Sequence, residues 1–216
     1  MELDPRHYEN IAVSDSDTHN IVLSYLVHNC FKETAESFVE CTGIKQPTDC
    51  LEDIDRRKRI IKFILEDNTL KAIELTKEVA PDLLEENTDL HFDLLSLHFV
   101  KLVCSGQCGE ALRFAQENLS PYGSVQKYVV KLEEFLALLA YDEPEKSPSF
   151  HLISLDYRQD IADKINRAIL GTSHTKQPSY SSLERLIQQM TVVKQHLSQE
   201  PNKDGPPFSL KDFIDC

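Results

Sequence analysis

Ile21-Val22-Leu23-Ser24-Tyr25-Leu26, followed within a few residues by Phe31-Lys32-Glu33-Thr34-Ala35-Glu36-Ser37-Phe38, decides the fold class of this chain. Residues three and four apart are neighbours on a helix, so Ile21, Val22, Tyr25 and Leu26 share one face. Phe31, Ala35 and Phe38 share a face of a second helix, and the two helices meet in a tight turn near Asn29 and Cys30. A pair of about 25 residues is far too small to hold a core of its own. Its apolar stripe therefore has to be covered, either by the rest of the chain, as in the first repeat of a helical array, or by a second copy.

The same helical period continues downstream. Asp53 is placed to cap a helix carrying Ile54, Arg57, Ile60, Ile61, Ile64 and Leu65, broken at Asp67-Asn68-Thr69. A helix from about Leu70 runs to Pro81, and Asn87 or Thr88 opens the most apolar segment, with Leu90, Leu94, Leu95, Leu97, His98, Leu102 and Val103. Further helices span about Glu110 to Leu119, Ser124 to Tyr141, Ser154 to Gly171, and Ser181 to Ser198. Ser16 and Asp17 are candidate caps for the first helix, and Gly43 a candidate end for the second. The β-branched pairs Val129-Val130 and Val192-Val193 sit inside helical stripes, so the expected class is all-α. Gln46-Pro47-Thr48-Asp49 reads as a linker. A Pro/Gly-rich tail beyond Pro201 still carries Phe208, Leu210, Phe213 and Ile214, a docking segment by composition.

Composition narrows the function classes. The chain has 216 residues and a net charge of −13, so phosphate backbones and anionic membrane surfaces repel it. Its longest apolar run, Phe135 to Tyr141, is too short to cross a bilayer. Met1-Glu2-Leu3-Asp4-Pro5 lacks the basic and apolar regions of a secretion signal, so a cytoplasmic and nuclear location is expected, with the six cysteines as reduced thiols.

The spacing of the opening hairpin also resembles the LisH motif: Tyr25-Leu26, then Cys30, Phe31, Thr34-Ala35 and Phe38. Cys30 stands where LisH proteins usually carry Gly. Arg57-x-x-Ile60, Ile64, Ala72-Ile73, Pro81, Leu83-Leu84, Asn87, Leu90, Phe92-x-Leu94 and Glu110-Ala111-Leu112 resemble the CTLH (C-terminal to LisH) domain. Leu132-Glu133 and Leu136 to Asp142, with Pro144, resemble the CRA region that follows it. The resemblance covers about residues 14 to 200. It divides the chain into an N-terminal segment 1–13, expected to be flexible, a LisH hairpin 14–46, a CTLH domain 53–110, a CRA region 111–200 and a tail 201–216. The fold it implies is a LisH hairpin followed by a CTLH–CRA array of antiparallel helices.

That family implies a function: a non-catalytic scaffold in a multi-subunit RING-type ubiquitin ligase of the GID/CTLH type, acting in proteasome-dependent degradation. The implied partners are other LisH, CTLH and CRA subunits, including RING-type and SPRY-domain subunits, with homo- or heterodimerisation through LisH and no nucleic acid or membrane. The residues implied at the LisH contact are Ile21, Val22, Tyr25, Leu26, Phe31, Ala35 and Phe38; at CTLH/CRA partner surfaces, Leu94, Phe99, Leu132, Phe135 and Leu139. A LisH-type dimerising adaptor in a cytoskeletal or transcriptional assembly is the alternative, and a small helical enzyme a more distant one.

Chemistry competes poorly with this reading. Cys104 and Cys108 lie near His98 but lack the second ligand pair of a structural zinc site, so no metal or cofactor is expected. No His, Ser or Cys falls in a nucleophile–base spacing, and no Gly-rich phosphate loop is present. The basic cluster Arg56-Arg57-Lys58-Arg59 reads either as a nuclear import signal or, preferably, as the solvated side of its helix.

Overall fold

A computed structural model describes residues 12–44, 50–172 and 178–199, and its described residues contain helices and no strand. The linker at 46–49 and the tail beyond Pro201 lie outside the described residues. The chain divides into two compact units: one holds residues 1–47 and 180–216, the other 48–179.

The first unit is built from α1 (Asp15–His28), α2 (Lys32–Thr42) and α10 (Ser182–Gln199). Ser14, not Ser16 or Asp17, caps α1: its hydroxyl accepts the Asp17 amide at 3.1 Å. The two expected caps lie two and three residues further on, inside the first turn, where the carboxylates of Asp15 and Asp17 favour the helix dipole. Gly43 ends α2 in the left-handed region at φ 69°. The helix at the end of the expected CRA region packs on α1, so the three-helix unit is closed by a segment remote in sequence.

The second unit runs through α3 (Cys50–Leu65), α4 (Thr69–Val79), α5 (Leu83–Glu86), α6 (Thr88–Cys104), α7 (Cys108–Phe114), α8 (Gln126–Ala137) and α9 (Leu155–Leu170). Its start precedes the expected cap Asp53 by three residues. Helix α6 is its axis. Phe92, Leu94, Leu95, Leu97, Phe99, Val100, Leu102 and Val103 are all buried, because a helix apolar on every side is stable only when surrounded. Helices α4, α7 and α9 pack around it, and α3 lies against α4 and α9. Ile60 and Ile64 of α3 and Ile161 and Ile165 of α9 are fully enclosed, each contributing about 1.5–3 kcal/mol by leaving water.

Arg57 corrects the sequence reading. It occupies the apolar stripe of α3 between Ile54 and Ile60 and is fully buried, donating from Nη1 to Oδ1 of Asn166 on α9 at 2.7 Å. The basic run is therefore not one solvated face: Arg56 and Arg59 are exposed, Lys58 is half-buried and Arg57 is core.

Candidate partner-binding surfaces

The turn of the hairpin sets the angle between α1 and α2. Helix α1 ends in a Schellman arrangement: Phe31 N–H reaches Leu26 C=O at 2.9 Å and Cys30 N–H reaches Val27 C=O at 3.3 Å. The geometry demands a left-handed residue, and Cys30 supplies it at φ 60° with its side chain buried. The same device closes α3 with Asp67 at φ 59° and α6 with Gly106 at φ 72°. Asp67 holds its conformation with help: its carboxylate accepts Arg158 Nη1 at 2.7 Å.

Of the expected LisH residues, only Ala35 is fully enclosed. Ile21, Val22, Tyr25, Leu26 and Phe38 are half-buried, and Phe31, the residue capping α2, is 48% exposed with its ring 6.3 Å from Tyr25. Sequence periodicity missed the anchor of α1, since Leu23 and His28 are its buried residues. Both lie off the stripe on which the hairpin was read.

Helix α10 is tied to α1 at its start. Ser181 and Glu184 form a capping box: the Glu184 carboxylate accepts the Ser181 amide and hydroxyl, both at 2.7 Å, and Ser181 Oγ accepts the Glu184 amide at 3.2 Å. The same carboxylate lies 3.4 Å from Nε2 of buried His28, and the Ser182 amide donates to Ser24 Oγ at 3.1 Å. With Leu183 and Ile187 half-buried, α10 leaves a second stripe in solvent. Leu186, Met190 and Val193 are 49, 42 and 53% exposed at spacings of four and three residues.

In the other unit the expected CTLH/CRA surface separates into two groups. Leu94, Phe99 and Phe135 are 0, 0 and 1% exposed; as placed they are core residues rather than surface. The reason is the all-round apolarity of α6 and the aromatic packing of Phe135 on Phe92, 6.2 Å between ring centroids. Leu132 and Leu139 are half-buried, and apolar neighbours missed by the reading flank them: Val125, Val130 and Leu136, 44, 49 and 42% exposed.

Val129, Leu132 and Leu136 of α8 recur at three- and four-residue intervals, the spacing of a helix-pairing seam, with Val125 just before the helix and Leu139 in the 3-10 turn just after it. Charges beside this seam fix α8 to α6. Lys131 donates to the buried carboxylate of Asp93 at 2.8 Å, and Lys127 pairs with Asp89 at 2.6 Å. The Lys127 hydrogen bond, with that of Tyr128, holds the Asp89 carboxyl below its ordinary range.

Burial shifts three ionisable groups on α6. Burial, reinforced by Lys77, pushes the His91 imidazole down, and its Nδ1 lies 3.2 Å from the Tyr122 hydroxyl. Burial also pushes His98 down, against Phe114 at 4.7 Å. Burial and the nearby Asp67 raise the Cys104 thiol, which ends α6 exposed rather than continuing its apolar face. Among the described residues no three His, Cys, Asp or Glu side chains gather as metal ligands. No described helix is long and apolar enough to cross a membrane.

An all-helical unit wound round one apolar helix, with a separate hairpin unit, defines the class of the protein. It belongs to the family described as the CTLH/CRA C-terminal to LisH motif domain, whose pattern matches residues 53–198. More particularly, the chain is 33% identical over 174 residues to the glucose-induced degradation protein 8 homolog of Nematostella vectensis, covering 80% of this chain and 77% of the relative. It is likewise 33% identical over 179 residues to the protein GID8 homolog of Arabidopsis thaliana, covering 82 and 73%, and 32% identical over 179 residues to the glucose-induced degradation protein 8 homolog of Dictyostelium discoideum, covering 82 and 78%.

Proposed function

We propose that this chain is a non-catalytic scaffold subunit of a GID/CTLH-type ubiquitin ligase, joining substrate-receptor and RING-bearing subunits for proteasome-dependent degradation. The likeness to glucose-induced degradation protein 8 homologs along most of the chain supports this reading. The observation that carries it is the three-helix unit. Ile21, Val22, Tyr25, Leu26 and Phe38 stay partly in solvent after α10 has docked, and α10 adds Leu186, Met190 and Val193. Apolar surface left over after the unit has closed on itself is surface for a second LisH-type unit. The seam on α8, with Leu132 and Leu139, offers the other unit an independent contact to a further CTLH/CRA subunit. A scaffold needs two such separate contacts, and a subunit acting in both cytoplasm and nucleus fits the reading.

Light scattering of the purified full chain tests the first contact. The Leu26→Asp/Phe38→Asp variant and the milder Met190→Asp/Val193→Asp variant, whose changes fall on exposed positions, should run at half the wild-type mass while retaining helical circular dichroism. Wild-type mass for both variants defeats the dimerisation reading. Affinity purification of the tagged chain should recover RING and SPRY-domain subunits; recovery of cytoskeletal or transcriptional regulators in their place supports the adaptor alternative.

A further inference from the structure

The buried position of Arg57 changes what the basic cluster is for. An import signal is read as an extended run of basic side chains, and this run has its second residue locked into the core. What remains outside is a pair of arginines, Arg56 and Arg59, one turn apart on α3 and both exposed. Residues at this spacing have Cβ atoms about 5–6 Å apart, so their guanidinium groups work together. Both open onto a recess of about 300 Å³ between α3 and α4, whose other walls are Leu75, Glu78 and Val79. Leu75 and Val79 are half-buried, one turn apart and packed against the core, so they show the recess only a narrow apolar strip. Among the described residues neither arginine makes an ion pair, although the chain carries 36 acidic side chains.

We propose that this recess docks an acidic segment of a partner protein, one that alternates carboxylates with a small aliphatic residue. Charge complementarity selects the carboxylates: the planar forks of Arg56 and Arg59 match carboxylate oxygens two at a time. The narrow strip of Leu75 and Val79 touches the aliphatic side chain, a minor contact that survives salt. Glu78, exposed on the rim, limits the negative charge the recess accepts, so a segment with a few carboxylates fits better than a polyanion such as nucleic acid.

The test pans a phage-displayed library of random dodecapeptides on the immobilised full chain. Enrichment of acidic–apolar peptides is expected, with affinity falling at least about tenfold for Arg56→Glu/Arg59→Glu. Leu75→Ala should weaken binding with the salt dependence unchanged, whereas the arginine variant should abolish the salt dependence. Both arginines are exposed, so a matched melting curve shows that the fold survives the change. Enriched peptides that bind the double variant as well as wild type overturn the proposal, as does a library that yields no acidic consensus. Displacement of the peptides by inorganic phosphate or by a single-stranded oligonucleotide at equal concentration overturns it too, since it makes the arginines a general anion site.

Discussion

Replacing Asn166 by Leu tests whether a guanidinium sits inside this fold. Arg57 has no exposed surface, Asn166 is 4% exposed, and the hydrogen bond between them is 2.7 Å long. A charge-assisted bond of this kind contributes about 1.5–3 kcal/mol, and losing this acceptor removes part of what offsets the desolvation of a buried charge. Leu roughly conserves volume, so the cost is electrostatic rather than a cavity, and Asn166→Leu should destabilise the chain by about 2–3 kcal/mol. Arg57→Met removes the charge and its desolvation penalty together, leaving one amide oxygen short of a donor at about 1–2 kcal/mol. With both groups gone the bond between them no longer counts against either one. The double variant should therefore be no worse than the worse single one, a coupling of about 1.5 kcal/mol or more. Urea unfolding followed by circular dichroism at several concentrations of denaturant gives all four stabilities. Additive single-variant effects, with coupling under about 0.5 kcal/mol, would mean that the guanidinium is solvated and that the α3–α9 packing described above is wrong.

Two further outcomes follow from the geometry. Cys30→Gly relieves a left-handed strain of about 1–2 kcal/mol but gives up a buried side chain, so its melting temperature should stay near wild type; Cys30→Val, β-branched at φ 60°, should lose about 2 kcal/mol or more. His91 and His98 both have folded-state pKa values below the ordinary 6.5, so the unfolded chain binds their protons first. Stability is complete above pH 6.5 and falls as the pH drops below it towards their lowered values. Unfolding curves between pH 7.5 and 5 should show that decline, and His91→Gln/His98→Gln should flatten it; an unchanged slope refutes the assignment.

The helices were legible because each carries its apolar residues at helical spacing, and the turns because Gly43, Asp67 and Gly106 are residue types that accept left-handed backbone. Cys30 needed the structure: nothing in a cysteine announces φ 60°, and only the two hydrogen bonds across the turn require it. Arg57 was legible in hindsight. It falls three residues after Ile54 and three before Ile60, inside the buried stripe, yet its charge argued for solvent more loudly than its position argued for core.

Leu94, Phe99 and Phe135 illustrate the converse. Apolarity marks a residue for burial without saying whether its own chain or a partner does the burying, and α6 is apolar on so many sides that its own unit surrounds it. The return of α10 to α1 left no local trace, because pairing of elements so distant in sequence writes no period into either of them.

That last contact has a consequence for how the protein is made. Ser24 and Ser182, joined by a hydrogen bond, are 158 residues apart. At about 5–20 residues per second the ribosome needs about 10–30 s to travel from one to the other. Throughout that interval α1 has no α10 to pack against, and the middle helices emerge before it does. A nascent or prematurely terminated chain cannot complete the three-helix unit. Full-length synthesis thus becomes a checkpoint, excluding unfinished copies from whatever this unit assembles with.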